Sequence, residues 1–309
     1  MKILIIKKKF LVNILFSVFL LFLIATLLYF VSNKFKYVQT ISPINISENT
    51  QFDLTGDGKK DTLQILNSQN KIDFIINCFD DNFYLSNQID DKLLFTPNNH
   101  WEPKVLLSDI SRDNIPEIII QGSKNNKCVS YVFHWNKKNF NLIFSNDNNN
   151  IFGILDSKNS RTPKCYSISS SEGLTSLNSF MLINDLTLDT SKENSTLPSL
   201  DSVTQFIDII QLPYVLDDIP DIFNSSIDKE NLSLLWNLDK ENYSYSFQNA
   251  FFYDYQWTDS GDPSLIRWRL SFEKSSIKGE ENDKTELILL IDLQKDASSY
   301  KINNIQKIK

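Results

Sequence analysis

Apolar and polar positions divide the chain into three regimes. The first is an uncharged run from Phe10 to Val31, broken only by Asn13, Ser17 and Thr26. Its length meets the ~20 residues a helix needs to cross a bilayer. Further on, short β-branched and aromatic stretches alternate with Asn, Asp, Lys and Ser clusters. Thr62–Leu66, Ile72–Asn77, Val129–Trp135 and Phe140–Phe144 are the clearest, and they predict strands. The break between Trp135 and Phe140 predicts a hairpin turn. After a polar Thr/Ser-rich stretch the period changes. Val203, Phe206, Ile207 and Ile210 stand at i, i+3, i+4, i+7, predicting an amphipathic helix that Pro213 stops, with Ser202 and Gln205 as a capping box. A second short helix is expected near Asp217–Pro220. Strands are predicted again over Tyr243–Phe247, Phe251–Trp257, Ile266–Phe272, Thr285–Leu293 and Tyr300–Ile305. The Ile266–Phe272 stretch alternates strictly, Ile266, Trp268, Leu270 and Phe272 against Arg267, Arg269 and Ser271.

Candidate chemistry lies between the strands. In Asp53–Asp61 (Asp-Leu-Thr-Gly-Asp-Gly-Lys-Lys-Asp), Asp53, Thr55, Asp57 and Asp61 take positions one, three, five and nine of a short loop. Gly58 lies at the bend, and the backbone carbonyl of Lys59 suits position seven. Oxygen ligands on alternate residues fit a hard cation, Ca2+ above all. An EF-hand would need a glutamate at position twelve and a helix after it. Gln64 and a strand follow instead. The motif returns: Asp109, Ser111, Asp113 and Glu117 match those four in order, with Asn114 in place of the glycine. A third copy over Leu155–Ile168 aligns Asp156 with Asp109 and Pro163 with Pro116, but puts Lys158 and Lys164 at ligand positions.

A calcium loop running into a strand, repeated at this spacing, resembles the FG-GAP/VCBS repeat, a β-propeller blade unit. The resemblance covers about residues 46–185 and implies structural calcium. About three units fit, fewer than a closed propeller uses. Either the array leans on the next domain or three units pack as an open β assembly. The helix-then-sheet order of the C-terminal part resembles the nuclear-transport-factor-two-like domains. The expected fold is therefore an N-terminal transmembrane helix, an all-β repeat region of partial propeller-like blades, and a small α+β domain with an antiparallel sheet. The expected divisions are 1–9 cytoplasmic tail, 10–32 anchor, 33–45 linker, 46–185 repeats, 186–198 linker and 199–309 C-terminal domain.

Composition and charge narrow the function. The 309 residues carry a net charge of −7 with both signs interspersed, which argues against nucleic acid as a partner. The Asn, Lys, Ile and Ser richness suits an AT-rich bacterial genome. Lys2 and Lys7–Lys9 outweigh Lys34 and Lys36 across the apolar run, placing the N-terminus inside and the body outside a cell membrane. A cleaved signal peptide is the alternative, against which the run is long and lacks an Ala-x-Ala site. Cys78, Cys128 and Cys165 lack CxxC spacing and read as small buried residues, although a pair among them stays open. No hydrolase, zinc-protease, P-loop or Rossmann fingerprint occurs. His100 and His134 read as structural. Asp254, Asp259 and Asp262 read as a solvated loop, and Tyr253, Tyr255, Trp257 and Trp268 as core. The expected protein is a membrane-anchored, extracytoplasmic binding or scaffolding protein with calcium-stabilised repeats and a protein or glycan partner. The alternative places a small-ligand or hydrolytic site in the C-terminal domain, with the repeats as spacer.

Overall fold

The computed structural model describes residues 17–23, 26, 51–78, 81–156, 158, 162–193, 196–214, 218, 220–278, 284–297 and 299–308. The chain divides into two compact units, Met1–Gln39 and Thr40–Lys309. In the first, residues 17–23 form a helix, α1. No helix among the described residues is long and apolar enough to cross a membrane. The expected transmembrane helix is corrected on that finding; the rest of the Phe10–Val31 run, Thr26 apart, lies outside the described residues.

The second unit is built mostly of strands. β1 (Gln51–Phe52), β2 (Asp61–Asn67), β3 (Ile72–Cys78) and β4 (Asp81–Tyr84) form one antiparallel meander in chain order. β5 (Lys104–Ser108), β6 (Glu117–Lys124), β7 (Lys127–Trp135) and β8 (Phe140–Asn146) form a second. β9 (Ile151–Leu155), β10 (Lys164–Ser169), β11 (Gly173–Ile183) and β12 (Leu186–Asp189) repeat the meander a third time. Two helices follow, α2 (Leu200–Gln211) and α3 (Lys229–Trp236). Four long strands then close the chain: β13 (Tyr243–Trp257), β14 (Pro263–Ser276), β15 (Lys284–Asp296) and β16 (Ser299–Ile308).

The third meander does not stand alone. Its first strand, β9, pairs in parallel with β13, Ile151 opposite Ala250 and Ile154 opposite Tyr253. The result is one eight-stranded sheet in the order β12-β11-β10-β9-β13-β14-β15-β16. This corrects the expected fold class: among the described residues no sheet closes and none is a propeller, and the C-terminal sheet is neither separate from the repeats nor wholly antiparallel. The physical reason lies in β9, where every residue from Ile151 to Leu155 is buried. A strand apolar at every position needs cover on both faces and a neighbour on each edge. Gly153 makes room for the neighbouring strand there, since a Cβ on it would lie 2.3 Å from the Phe252 ring. β12 also falls inside the stretch read as a linker, paired with β11 through Leu186 opposite Ile183.

The layers stack face to face around three cores. Leu63, Phe74 and Ile76 of the first meander meet Ile118, Ile120 and Phe133 of the second. The second meander's other face, with Leu106, Ile119 and Val132, packs on Phe152, Ile154, Phe180 and Phe251 of the large sheet. That explains why Ile118, Ile119 and Ile120 are all fully buried despite alternating in direction. The large sheet's far face, with Phe252, Trp268, Leu270 and Leu289, is covered by Val203, Phe206, Ile207 and Ile210 of α2 and by Leu235 of α3. Polar groups also bridge the layers: Gln121 Nε2 donates to the Ala250 carbonyl at 3.1 Å, and Lys104 Nζ reaches Glu286 Oε2 at 3.1 Å.

The apolar face of α2 is the predicted one, but its ends are held differently. Ser199 precedes the helix at φ 69° without a side-chain cap, and Ser202 Oγ donates across the layer to the Tyr300 carbonyl, so the capping box does not form. At the other end, Lys240 Nζ donates to the carbonyls of Ile209 at 2.6 Å and Tyr214 at 3.1 Å. Burial holds the Lys240 pKa below its ordinary 10.5. In the window between that lowered value and 10.5 the unfolded chain binds more protons, so stability rises with pH. We expect this alkaline rise in urea unfolding experiments to flatten in Lys240→Met. The variant should also lose about 1–3 kcal/mol at neutral pH from its unpaired carbonyls. An identical pH dependence in both proteins would contradict the assignment. Near Asp217 the second predicted helix lies largely outside the described residues; α3 starts later, where Asp228 Oδ1 accepts from Glu230 N at 3.0 Å.

Candidate metal centre

The first loop joins β1 to β2. Gly56 and Gly58 have φ of 73° and 81°, a region glycine enters without Cβ strain. Both turn their amides inward: Gly56 N donates to Asp53 Oδ1 at 2.7 Å and Gly58 N to Asp53 Oδ2 at 2.9 Å. Lys59 N donates to Asp57 Oδ1 at 2.8 Å. Asp61 opens β2 and is buried; its Oδ2 accepts from Leu54 N at 2.8 Å and Thr55 Oγ1 at 3.2 Å. Leu54, fully buried, pins the loop to the core.

The second loop, between β5 and β6, reproduces most of this pattern. Asn114 N donates to Asp109 Oδ2 at 3.2 Å, Ile115 N to Asp113 Oδ1 at 2.8 Å, and Ile110 N to Glu117 Oε2 at 2.7 Å. Ser111 Oγ lies 3.4 Å from Asp109 Oδ1. Arg112 and Asn114 adopt φ of 65° and 71°, where the first loop has its two glycines. The loops abut, because a Cβ on Gly56 would fall 2.6 Å from Ile115 Cδ1. In the third copy Asp156 has a positive φ of 59°, unlike Asp53 and Asp109 with which it aligns, and Lys164 opens β10 where Glu117 opens β6. Residues 157 and 159–161 of that loop lie outside the described residues.

The donors of the first loop are all oxygens, a chemistry that fits calcium. Each carboxylate also has lone pairs beyond those facing N–H groups. As placed, however, Asp53, Asp57 and Asp61 serve the loop's own amides and do not converge as a trio. Among the described residues the trio whose ligand atoms lie within 4.8 Å of one another is Asp113, His134 and Asp185. His134 sits on β7 with its side chain 3 % exposed. Its Nδ1 lies 2.9 Å from Glu117 Oε1, and its Nε2 lies 3.1 Å from Asp185 Oδ1. The Glu117 hydrogen bond holds the His134 pKa above the ordinary imidazole value. Asp185 is exposed at the tip of the β11–β12 hairpin, where Asn184 and Asp185 have φ of 48° and 62°.

Sequence reasoning treated His134 as structural and did not single out Asp185. The signal for Asp185 was the Asn-Asp pair itself, a combination suited to two-residue hairpin turns with positive φ. The remaining candidates disperse. Tyr253 packs on the face toward the second meander and Trp268 on the face toward α2, so they do not line one pocket. Asp254 Oδ2 accepts from Trp257 Nε1 at 2.7 Å, Asp262 lies in a Ser/Thr turn, and His100 pairs with Glu273 at 2.8 Å. All three cysteines are free. Burial raises the Cys78 thiol to about 12, with Asp61 adding to the shift. A groove of about 590 Å³ opens beside the first loop, lined by Asp57, Asp81, Phe83, Trp135 and Lys138 among others. No protein-family model matches this chain, and no curated protein matches it.

Proposed function

We propose that this chain is a binding or scaffolding protein whose first loop takes calcium in a structural role, as the resemblance to FG-GAP/VCBS repeats implies. The observation that carries the reading is the recurrence of one loop design. Two Asp-lined turns share their main amide-to-carboxylate bonds, each anchored by a buried carboxylate at the start of the next strand. A bound ion would replace some of those amide partners around Asp53 and Asp57 and hold Leu63 in the core. The groove beside this loop offers Phe83 and Trp135 as apolar contact, with Asp57, Asp81, Lys137 and Lys138 at its walls. That mixture suits a protein or glycan partner. The far face of the large sheet favours a scaffold over a ligand pocket, since Trp268 stacks on Phe252 at 4.3 Å within filled apolar packing.

The test is thermal unfolding of the full chain in calcium, magnesium and chelator. A site of extracellular strength, about 10⁻⁴–10⁻³ M, stabilises by ~1.4 kcal/mol when calcium is tenfold above Kd. Calcium should raise Tm, magnesium should not, and Asp57→Ala should lose the response. Equal melting in calcium and chelator would mean the loop is closed by its own hydrogen bonds, and the calcium reading would fail.

A further inference from the structure

We propose that Asp113, His134 and Asp185 form a zinc site, with Glu117 as the residue that positions the histidine. The site is independent of the calcium reading of the first loop, and it takes Asp113 and Glu117, which the repeat resemblance would give to calcium in the second. Its ligands come from three places: the second loop, strand β7, and the hairpin tip of the large sheet. A metal held there ties the second meander to the large sheet at a point where no backbone pairing joins their described residues.

Three features point to a metal rather than a plain charge cluster. The first is the buried Glu117–His134 contact. A carboxylate only accepts, so the ring must donate Nδ1–H to Glu117 Oε1. With Nδ1 taken by Glu117, Nε2 is the ring nitrogen that faces outward, and once its proton leaves, its lone pair is open to a metal. This is the carboxylate–histidine–metal arrangement, in which the outer carboxylate selects the tautomer and fixes the ring plane. The second is what the lone pair faces. Asp185 Oδ1, another acceptor, lies 3.1 Å from Nε2, and the Asp113 carboxylate stands within 4.8 Å of both. Lone pairs converging in this way need a proton or a cation between them. The third is spacing. Ligand bonds of ~2.0–2.1 Å at a tetrahedral angle put neighbouring ligand atoms about 3.3 Å apart, close to the 3.1 Å between His134 Nε2 and Asp185 Oδ1, and Asp113, within 4.8 Å of both, closes in as the ion binds.

The donor set selects the ion. Calcium and magnesium take oxygen ligands, whereas an imidazole nitrogen with two carboxylates suits zinc. Three protein ligands leave the fourth position to water. Asp113 Oδ1 accepts from the Ile115 amide, which leaves its second oxygen for the metal. Binding requires His134 to be neutral at Nε2, and any proton held there leaves to solvent as the ion enters.

The experiment is zinc titration of the full chain against a chromophoric chelator, after stripping and in excess calcium. One equivalent should bind. Asp185→Asn should weaken it by more than the ~10–100-fold expected for the positioning change Glu117→Gln. Asparagine tolerates the positive φ of that exposed turn, so Asp185→Asn tests the site without testing the fold. His134→Gln should abolish binding, while His100→Gln and Asp53→Asn should leave it unchanged. Cobalt in place of zinc gives a second readout, its visible bands appearing in the unmodified chain and disappearing in Asp185→Asn. The proposal is overturned if the unmodified chain binds zinc no more tightly than Asp185→Asn, or if the cobalt spectrum is the same in both.

Discussion

Replacing Trp268 with alanine should lower the unfolding free energy by ~3–5 kcal/mol, the range for deleting a buried large aromatic. The residue is fully buried beneath α2, stacks on Phe252 at 4.3 Å, and donates Nε1–H to Ser199 Oγ at 2.9 Å. Its loss removes apolar contact from the centre of the largest core and leaves the entry to α2 without that tether. Trp268→Phe keeps part of the stack and should cost markedly less. Denaturant titration with an unchanged m-value would show that stability alone has moved. A loss below ~1 kcal/mol for the alanine variant would mean the far face of the sheet is loosely filled. The ligand-pocket alternative would then regain ground.

Glu117→Ala should cost a comparable ~3–5 kcal/mol in metal-free protein, because it breaks a buried charged pair and strands its partners. Glu117 is 1 % exposed and accepts from Ile110 N, Ser111 N and the His134 ring. Asp61→Ala removes the equivalent anchor of the first loop, where the partners are Leu54 N and Thr55 Oγ1. No histidine is involved there, so the expected cost is ~1–3 kcal/mol. The inequality is the measurable claim. If both variants lose the same stability, the His134 contact adds nothing and the two loops are energetically equivalent.

What could be read in advance was local. Alternate oxygens with a glycine at the bend marked the first loop, and Asn114 marked the second because asparagine tolerates φ above zero. The α2 face was legible because 3.6-residue periodicity needs no partner to be recognised. The fate of the third meander was not legible. Ile151–Leu155 is too short to carry a periodicity and follows a run of asparagines, and its parallel partner β13 lies far along the chain. Pairing over that distance leaves no mark on either segment alone. His134 was visible as a histidine between Phe133 and Trp135. Its meaning depended on Glu117 and Asp185, which only the folded layers bring to it. The helix α3 was missed because its amphipathic signal is weak and an Asp-Lys-Glu start is common in loops.

The parallel contact between β9 and β13 also sets a timetable for the growing chain. Both four-stranded meanders can pair as soon as their own strands emerge. Strand β9 cannot, because the neighbour for one of its edges is encoded about a hundred residues later, a delay of about 5–20 s at ordinary synthesis rates. During that interval an apolar strand, Ile-Phe-Gly-Ile-Leu, waits with one edge open, and the face of the second meander that it will cover stays wet. That stretch stands to gain from a chaperone.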